Sequence, residues 1–272
     1  MRIGLVQMTS GIEPARNAAA LTGAIGSLAS EGAGIVFTPE MSGCLDKNRE
    51  RLLSHTVAEN ADMVLAAVRK TAAETGTWVA LGSLAIKTTA ASDRLINRSF
   101  LIDGNGTIVA RYDKIHLFDV DLGGGETYGE SKSFDAGGHP VVADTPAGRL
   151  GLSICYDLRF PRLYDCLSEA GADLLAAPAA FTRPTGAAHW HLLARTRAVE
   201  NTAFVIAAAQ TGTHEDGRAT YGHSLVVDPW GEVLLDMGET PGTAICDIDL
   251  ARVAEIRRRL PSRDHRAHIA FP

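Results

Sequence analysis

The chain reads as an α/β protein. Short β-branched runs alternate with longer Ala-rich amphipathic ones, the pattern of strands and helices stacked in layers. Two of the strand runs are joined through Gly-Asn-Gly, a hairpin signal. No Pro/Gly/Ser-rich linker divides the sequence, so a single domain over residues 1–272 is expected.

Taken in order, Ile3–Met8, Gly34–Pro39 and Trp78–Ile86 read as strands. Pro14–Glu31 and Glu59–Thr75 read as the helices between them, with Pro14 near a first turn where its missing N–H does no harm. The hairpin pairs Arg94–Asp103 with Thr107–Tyr112. In the second half, strands are expected at Leu150–Cys155, Asp173–Pro178, Ala203–Ala209, His223–Asp228, Glu232–Asp236 and Thr243–Ile248. Helices are expected at Arg162–Ala170, Ala187–Asn201 and Ala251–Leu260. Ser99–Val109 and Ser224–Leu234 share one frame: polar start, apolar strand, Asp, turn Gly, second apolar strand. Any two hairpins share such a frame, and so do the edges of two similar sheets facing each other; both explanations stay open.

Composition narrows the function. The chain is 46% hydrophobic and 21% charged, as ordinary globular proteins are. A net charge of −6 argues against nucleic-acid binding, which needs a basic surface, and the tail RRRLPSRDHRAH reads as a solvated helix end. Cys44, Cys155, Cys166 and Cys246 form no C-x-x-C pair, so neither a zinc site nor a disulfide framework is suggested and a reducing compartment fits. MRIGLVQMTSG lacks the layout of a signal peptide, and no apolar run reaches the roughly 18 residues of a membrane span. The expectation is a cytoplasmic protein with neither membrane nor nucleic acid as a partner.

The chemistry gathers at strand ends. LGLSICYDLRFPRL, residues 150–163, runs apolar to Cys155 and turns at once into aromatic and charged residues. A free cysteine in such a run ordinarily packs as a small hydrophobe. Glu40 closes GIVFTPE and Lys114 follows TIVARYD. Singly, they read as a loop acid and a solvated charge. Together they read differently, because a thiol becomes a nucleophile when a base takes its proton or a positive charge lowers its pKa, and Glu plus Lys supply both.

FTPEM around Glu40, RYDKIHLFDVD around Lys114 and LSICYDLRFP around Cys155, in this order, resemble the nitrilase superfamily of carbon–nitrogen hydrolases and its Glu-Lys-Cys triad. TGAAHWHLLARTRAVEN, AAAQTG and YGHSLVVDPWGEVL are similar to its Nit amidase branch, which acts on linear amides of dicarboxylic acids. The AAAQTG stretch followed by His214 and Arg218 lies nearer the group acting on deaminated glutathione than that acting on α-ketoglutaramate. The resemblance implies a four-layer α-β-β-α sandwich of two six-stranded sheets, a homodimer or larger homo-oligomer assembled through helices, and no metal or organic cofactor.

It also implies roles. Glu40 takes the thiol proton, Cys155 attacks the amide carbon, and Lys114 with the Tyr156 N–H stabilises the oxyanion. Glu40 returns the proton to the departing ammonia, leaving a thioester for water. Glu130 matches a second carboxylate that orients the lysine, with a solvated loop acid as the plain alternative and Glu126 as the other candidate. Arg159 can hold a substrate carboxylate bidentately or tie down the helix near Pro161. Phe181 and Thr185 match positions facing the substrate, although Phe181 also suits a core, and Tyr128 joins them from the loop beside Glu130. His189 and His191, at i and i+2 on a helix, point to different faces and do not chelate one ion; His189 and Trp190 read as packing and hydrogen-bonding groups. The alternative from another class is an inactive dicarboxylate-binding module. The same-class rivals are an ω-amidase acting on α-ketoglutaramate, an N-carbamoyl hydrolase and a true nitrilase.

Overall fold

In a computed structural model of the chain, the structure describes residues 1–89, 93–123 and 127–267. The first half contains β1 (Arg2–Gln7), α1 (Pro14–Ser30), β2 (Ile35–Phe37), α2 (Arg49–His55), α3 (Met63–Thr75), β3 (Trp78–Lys87), β4 (Leu95–Ile102) and β5 (Ile108–Asp113). The short strands β6 (Asp119–Asp121), β7 (Thr127–Gly129) and β8 (Phe134–Asp135) lead to β9 (Val141–Thr145), β10 (Gly148–Leu152), α4 (Pro161–Glu169), β11 (Leu174–Ala176), α5 (Arg183–Asn201) and β12 (Phe204–Ala207). The last elements are β13 (Thr211–Thr213), β14 (Ala219–Tyr221), β15 (Leu225–Val227), β16 (Val233–Asp236), β17 (Gly242–Asp247) and α6 (Ala251–Arg259).

Two sheets have the same plan. The first runs β17-β1-β2-β3-β4-β5 and, with β8 paired beside β4, has seven strands rather than the expected six; the second runs β9-β10-β11-β12-β15-β16. In each, three parallel strands lie between one antiparallel strand and an antiparallel hairpin. The echo of hairpins in the sequence therefore marks equivalent edges of two like-built sheets. The sheets face each other: Leu5, Phe37, Leu101 and Tyr112 of the first share a core with Leu152, Leu174, Ala176 and Ile206 of the second.

Period-two alternation sends the next residues outward. Val6, Val36, Val79 and Phe100 meet Leu21, Ile25 and Leu28 of α1 and Val64, Leu65 and Val68 of α3. Each fully buried side chain of this size contributes roughly 1.5–3 kcal/mol. Leu163 and Leu167 of α4, with Trp190, Ala194 and Ala198 of α5, cover the second sheet. The result is the expected four-layer α-β-β-α sandwich.

Of the boundaries that differ from expectation, three have a visible local cause. The helix expected over Glu59–Thr75 breaks into a 3₁₀ turn at Glu59–Ala61 and α3, because the Asp62 side chain accepts the Leu65 N–H at 2.8 Å and caps a new start. α5 begins at Arg183 rather than Ala187, since Thr182 caps it through the Thr185 N–H and Pro184 fits the first turn. The strand expected to reach Cys155 stops at Leu152 and a 3₁₀ helix, Cys155–Arg159, follows.

Candidate active site

Glu40 follows β2 through Thr38 and Pro39, Lys114 follows β5, and Cys155 follows β10. The two parallel strands thus deliver acid and thiol at their carboxyl ends, where open α/β sheets hold ligands. The Glu40 turn is fixed from several sides. Its carbonyl accepts the Gln210 side-chain amide at 2.9 Å, Met41 N–H donates to Ser83 at 2.9 Å, and Ser42 Oγ donates to the Pro39 carbonyl at 2.5 Å.

The expected groups converge. Lys114 Nζ donates to Glu40 Oε1 at 2.9 Å and to the Glu130 carboxylate at 2.8 and 3.1 Å. Glu40 Oε2 accepts the Ala180 N–H at 3.0 Å, and Cys155 lines the same cavity as Glu40. Glu130 Oε2 is held by the Phe118 N–H at 2.7 Å, so Glu130, expected as either an orienting carboxylate or a solvated loop acid, lies against the lysine. Glu126 lies outside the described residues. Cys155 has a φ of 50°, in the left-handed region that a non-glycine residue occupies only at a cost of about 1–3 kcal/mol. Its N–H is anchored on the Pro178 carbonyl at 2.8 Å, and Tyr156 follows in the first turn of the 3₁₀ helix, where N–H groups have no intrahelical acceptor.

Glu40, Lys114 and Cys155 are almost fully buried. Burial works against the Glu40 carboxylate, but the Lys114 charge and hydrogen bonds from Cys155, Lys114 and Asn97 outweigh it and hold Glu40 below its ordinary range. Burial likewise works against the Lys114 ammonium, and Glu130, Glu40 and Cys155 outweigh it and hold Lys114 well above its ordinary range. Cys155 is pushed well up by burial and by Glu40, with Lys114 opposing only in part. These directions favour a neutral thiol beside an ionised Glu40 carboxylate. Moving the thiol proton to Glu40 while charge passes to a substrate oxygen leaves the net charge of the buried cluster unchanged.

All nine residues named from the sequence line one cavity of about 260 Å³: the four above with Tyr128, Tyr156, Arg159, Phe181 and Thr185. Phe181 is both wall and core, its ring 4.9 Å from that of Trp190. The Arg159 guanidinium lies over the Phe181 and Tyr156 rings at 5.4 and 5.9 Å, and both terminal nitrogens are 3.3 Å from His189 Nδ1. Among the described residues no carboxylate pairs with Arg159 and no hydrogen bond joins it to α4. Trp190 is buried and donates to the His223 carbonyl at 2.7 Å.

Sequence reasoning missed Asn97 on β4. Its amide nitrogen donates to Glu40 at 2.9 Å and to Glu130 at 3.2 Å, while its buried oxygen has no partner among the described residues. The available signal was a polar residue inside the strand run LINRSF, two positions on from Leu95 and so on the same face. Lys47 and Arg49 also line the cavity and went unread; Arg218 lines it too and was read from the sequence only as a mark of the subgroup.

An α-β-β-α sandwich with a buried Glu-Lys-Cys cluster at the carboxyl ends of its strands defines a class of hydrolases. The carbon-nitrogen hydrolase family profile matches residues 2–258, and the chain belongs to that family. Similar to it is the deaminated glutathione amidase of a Synechocystis species, 42% identical over 241 residues that make up 88% of each chain. The crystal structure of the NitFhit protein of C. elegans superposes with a TM-score of 0.90 at 37% identity, covering 97% of this chain and 64% of that longer one. A mutant amidase from Nesterenkonia sp. AN1, solved after Michael addition of acrylamide at its active-site cysteine, superposes at 0.80 with 26% identity over 96% of this chain and 98% of its own.

Proposed function

We propose that residues 1–272 act as one amidase domain that hydrolyses a linear carboxamide of a small dicarboxylic acid, deaminated glutathione, through a thioester on Cys155. The observation that carries this reading is the convergence of Glu40, Lys114 and Cys155 on one cavity, with Lys114 Nζ bonded to Glu40 Oε1 at 2.9 Å. Glu40 takes the Sγ proton as sulfur bonds to the amide carbon, and the carbonyl oxygen gathers the negative charge beside Lys114 and the Tyr156 N–H. Glu40 then protonates the amine as the C–N bond breaks. Water, deprotonated by the same carboxylate, releases the acid and returns the thiol. Glu130 and Asn97 keep the ammonium aimed at the oxygen.

Arg159, which lines the cavity, takes a carboxylate of the substrate. The similarity to enzymes named deaminated glutathione amidase supports the choice among dicarboxylate amides. A homodimer or larger homo-oligomer and a cytoplasmic setting complete the reading. In the described part of the chain no helix is long and apolar enough to cross a membrane, and the four cysteines are unpaired. The test is a rate survey of the purified protein on deaminated glutathione, α-ketoglutaramate, N-carbamoyl amino acids and simple nitriles. Fastest kcat/KM on the first is expected; turnover confined to either of the last two groups overturns the assignment.

A further inference from the structure

We infer that His191, His223 and Asp236 form a site for a divalent transition-metal ion of the zinc class, where α5 meets the β15–β16 hairpin. The site shares no residue with the lining of the active cavity. Its three ligands come from separate elements: His191 from α5, His223 from the turn before β15, and Asp236 from the end of β16. Asp236 Oδ2 lies 2.9 Å from His191 Nε2 and 3.1 Å from His223 Nδ1, and one ligand atom from each residue falls within 4.8 Å of the others. Zinc bonds of about 2.0–2.2 Å in tetrahedral geometry set ligand atoms roughly 3.3 Å apart, so an ion enters with side-chain shifts on the order of 1 Å. Two imidazoles and a carboxylate suit zinc, cobalt, nickel or copper rather than calcium or magnesium.

Two of the ligands are already held in place. His223 has a φ of 55°, its N–H is bonded to the Gly238 carbonyl at 2.6 Å, and its ring is stacked on Tyr221 with centroids 4.5 Å apart. Asp236 Oδ1 accepts the Gly238 N–H at 2.9 Å. Among the described residues no lysine or arginine pairs with Asp236, so the two imidazoles are its partners in the ion-pair geometry and a bound cation takes over that place. The side chains of His191, His223 and Asp236 are 36%, 21% and 33% exposed, which leaves an entry path and room for water to complete the coordination. His189, two residues before His191, faces Arg159 instead and takes no part.

The test is calorimetric titration of the chelator-treated full chain with Zn²⁺, and absorption titration with Co²⁺, in a Cys155→Ala background that keeps the active-site thiol from competing. One ion per chain is expected, with cobalt bands of nitrogen and oxygen ligation and a raised Tm. His191→Ala, on the helix surface, and Asp236→Asn are each expected to weaken binding at least tenfold while leaving the far-ultraviolet circular dichroism unchanged. Absence of saturable binding near one equivalent, or undiminished binding in both variants, overturns the proposal and leaves a hydrogen-bonded pair of imidazoles on a carboxylate.

Discussion

The buried Asp157 carboxylate accepts the hydroxyl of Tyr112 at 2.7 Å. Tyr112 precedes Lys114 by two residues and Asp157 follows Cys155 by two. The same carboxylate meets the His116 N–H at 3.0 Å, the His116 ring at 2.7 Å and the Ile154 N–H at 2.9 Å, so one acid ties the strand end bearing the cation to the turn bearing the thiol. Asp157→Asn keeps the shape but aims an NH₂ group at groups that already donate. A loss of about 2–4 kcal/mol in unfolding free energy is expected from urea midpoints, with kcat reduced on the order of 10-fold or more. An unchanged midpoint would remove Asp157 from this role.

Cys155 is the nucleophile in the proposed reaction, so Cys155→Ala is expected to lower kcat about 10⁴-fold or more with the fold retained. Intact mass after rapid quenching should show an acyl adduct on the native chain and none on the variant. Cys44 is pushed up to about 12 by burial and nearby carboxylates, chiefly Asp46, so an adduct there is not expected. Its appearance with Cys155 unmodified would assign the chemistry elsewhere.

The pH dependence follows from the directions of two shifts. Glu40 is held below 4.5, so its stabilisation and its readiness as a base are present above that value and fade as pH falls through its lower folded pKa. Lys114 is held well above 10.5, so its stabilisation is present below that value and fades as pH rises through its higher folded pKa. A kcat profile flat across the histidine range near pH 6–7 is expected, with limbs only in the outer acid and alkaline regions. Glu40→Gln should lower the plateau about 10³-fold. A histidine-like inflection in kcat would show that a group other than this pair limits turnover.

How much of this was legible in the letters depends on distance along the chain. Strands and helices announce themselves locally, through β-branched runs, Ala-rich runs and caps, and the catalytic trio lies in short motifs at strand ends. Asn97 and Asp157 differ because their importance arises from partners 57 and 45 residues away, Glu40 and Tyr112, which only the assembly of the first sheet and its packing against the second bring near. α2 and β9 were missed because few of their residues are buried, so neither carries a clear apolar period. The left-handed turn at Cys155 was masked by the apolar run that precedes it.

Arg159 separates binding from chemistry. Its guanidinium lies over two rings and pairs with no carboxylate among the described residues, so Arg159→Met should raise KM for carboxylate-bearing amides roughly 10- to 100-fold with kcat within a few-fold. A neutral amide such as butyramide should show no such change. Equal effects on both substrates would point to a collapsed cavity wall instead of a lost carboxylate anchor.

Gly82 on β3 tests how tightly the Glu40 turn must be held. Its N–H donates to Thr38 Oγ1 at 2.9 Å, and a Cβ built there would stand 2.1 Å from the Thr38 carbonyl oxygen and 2.4 Å from that of Pro39. Both obstacles are backbone, so Gly82→Ala has to push residues 38–40 away from the sheet. A displacement on the order of 1 Å at the catalytic base is enough to cost about 10²-fold in kcat, beside an overpacking loss of roughly 1–3 kcal/mol in stability. Gly26, whose Cβ would meet nothing within 4 Å, provides the control: Gly26→Ala on α1 should leave kcat unchanged and stabilise by up to about 1 kcal/mol. If Gly82→Ala retained full kcat, the placement of Glu40 would tolerate more slack than a buried carboxylate shared among a thiol, an ammonium and two amide groups allows.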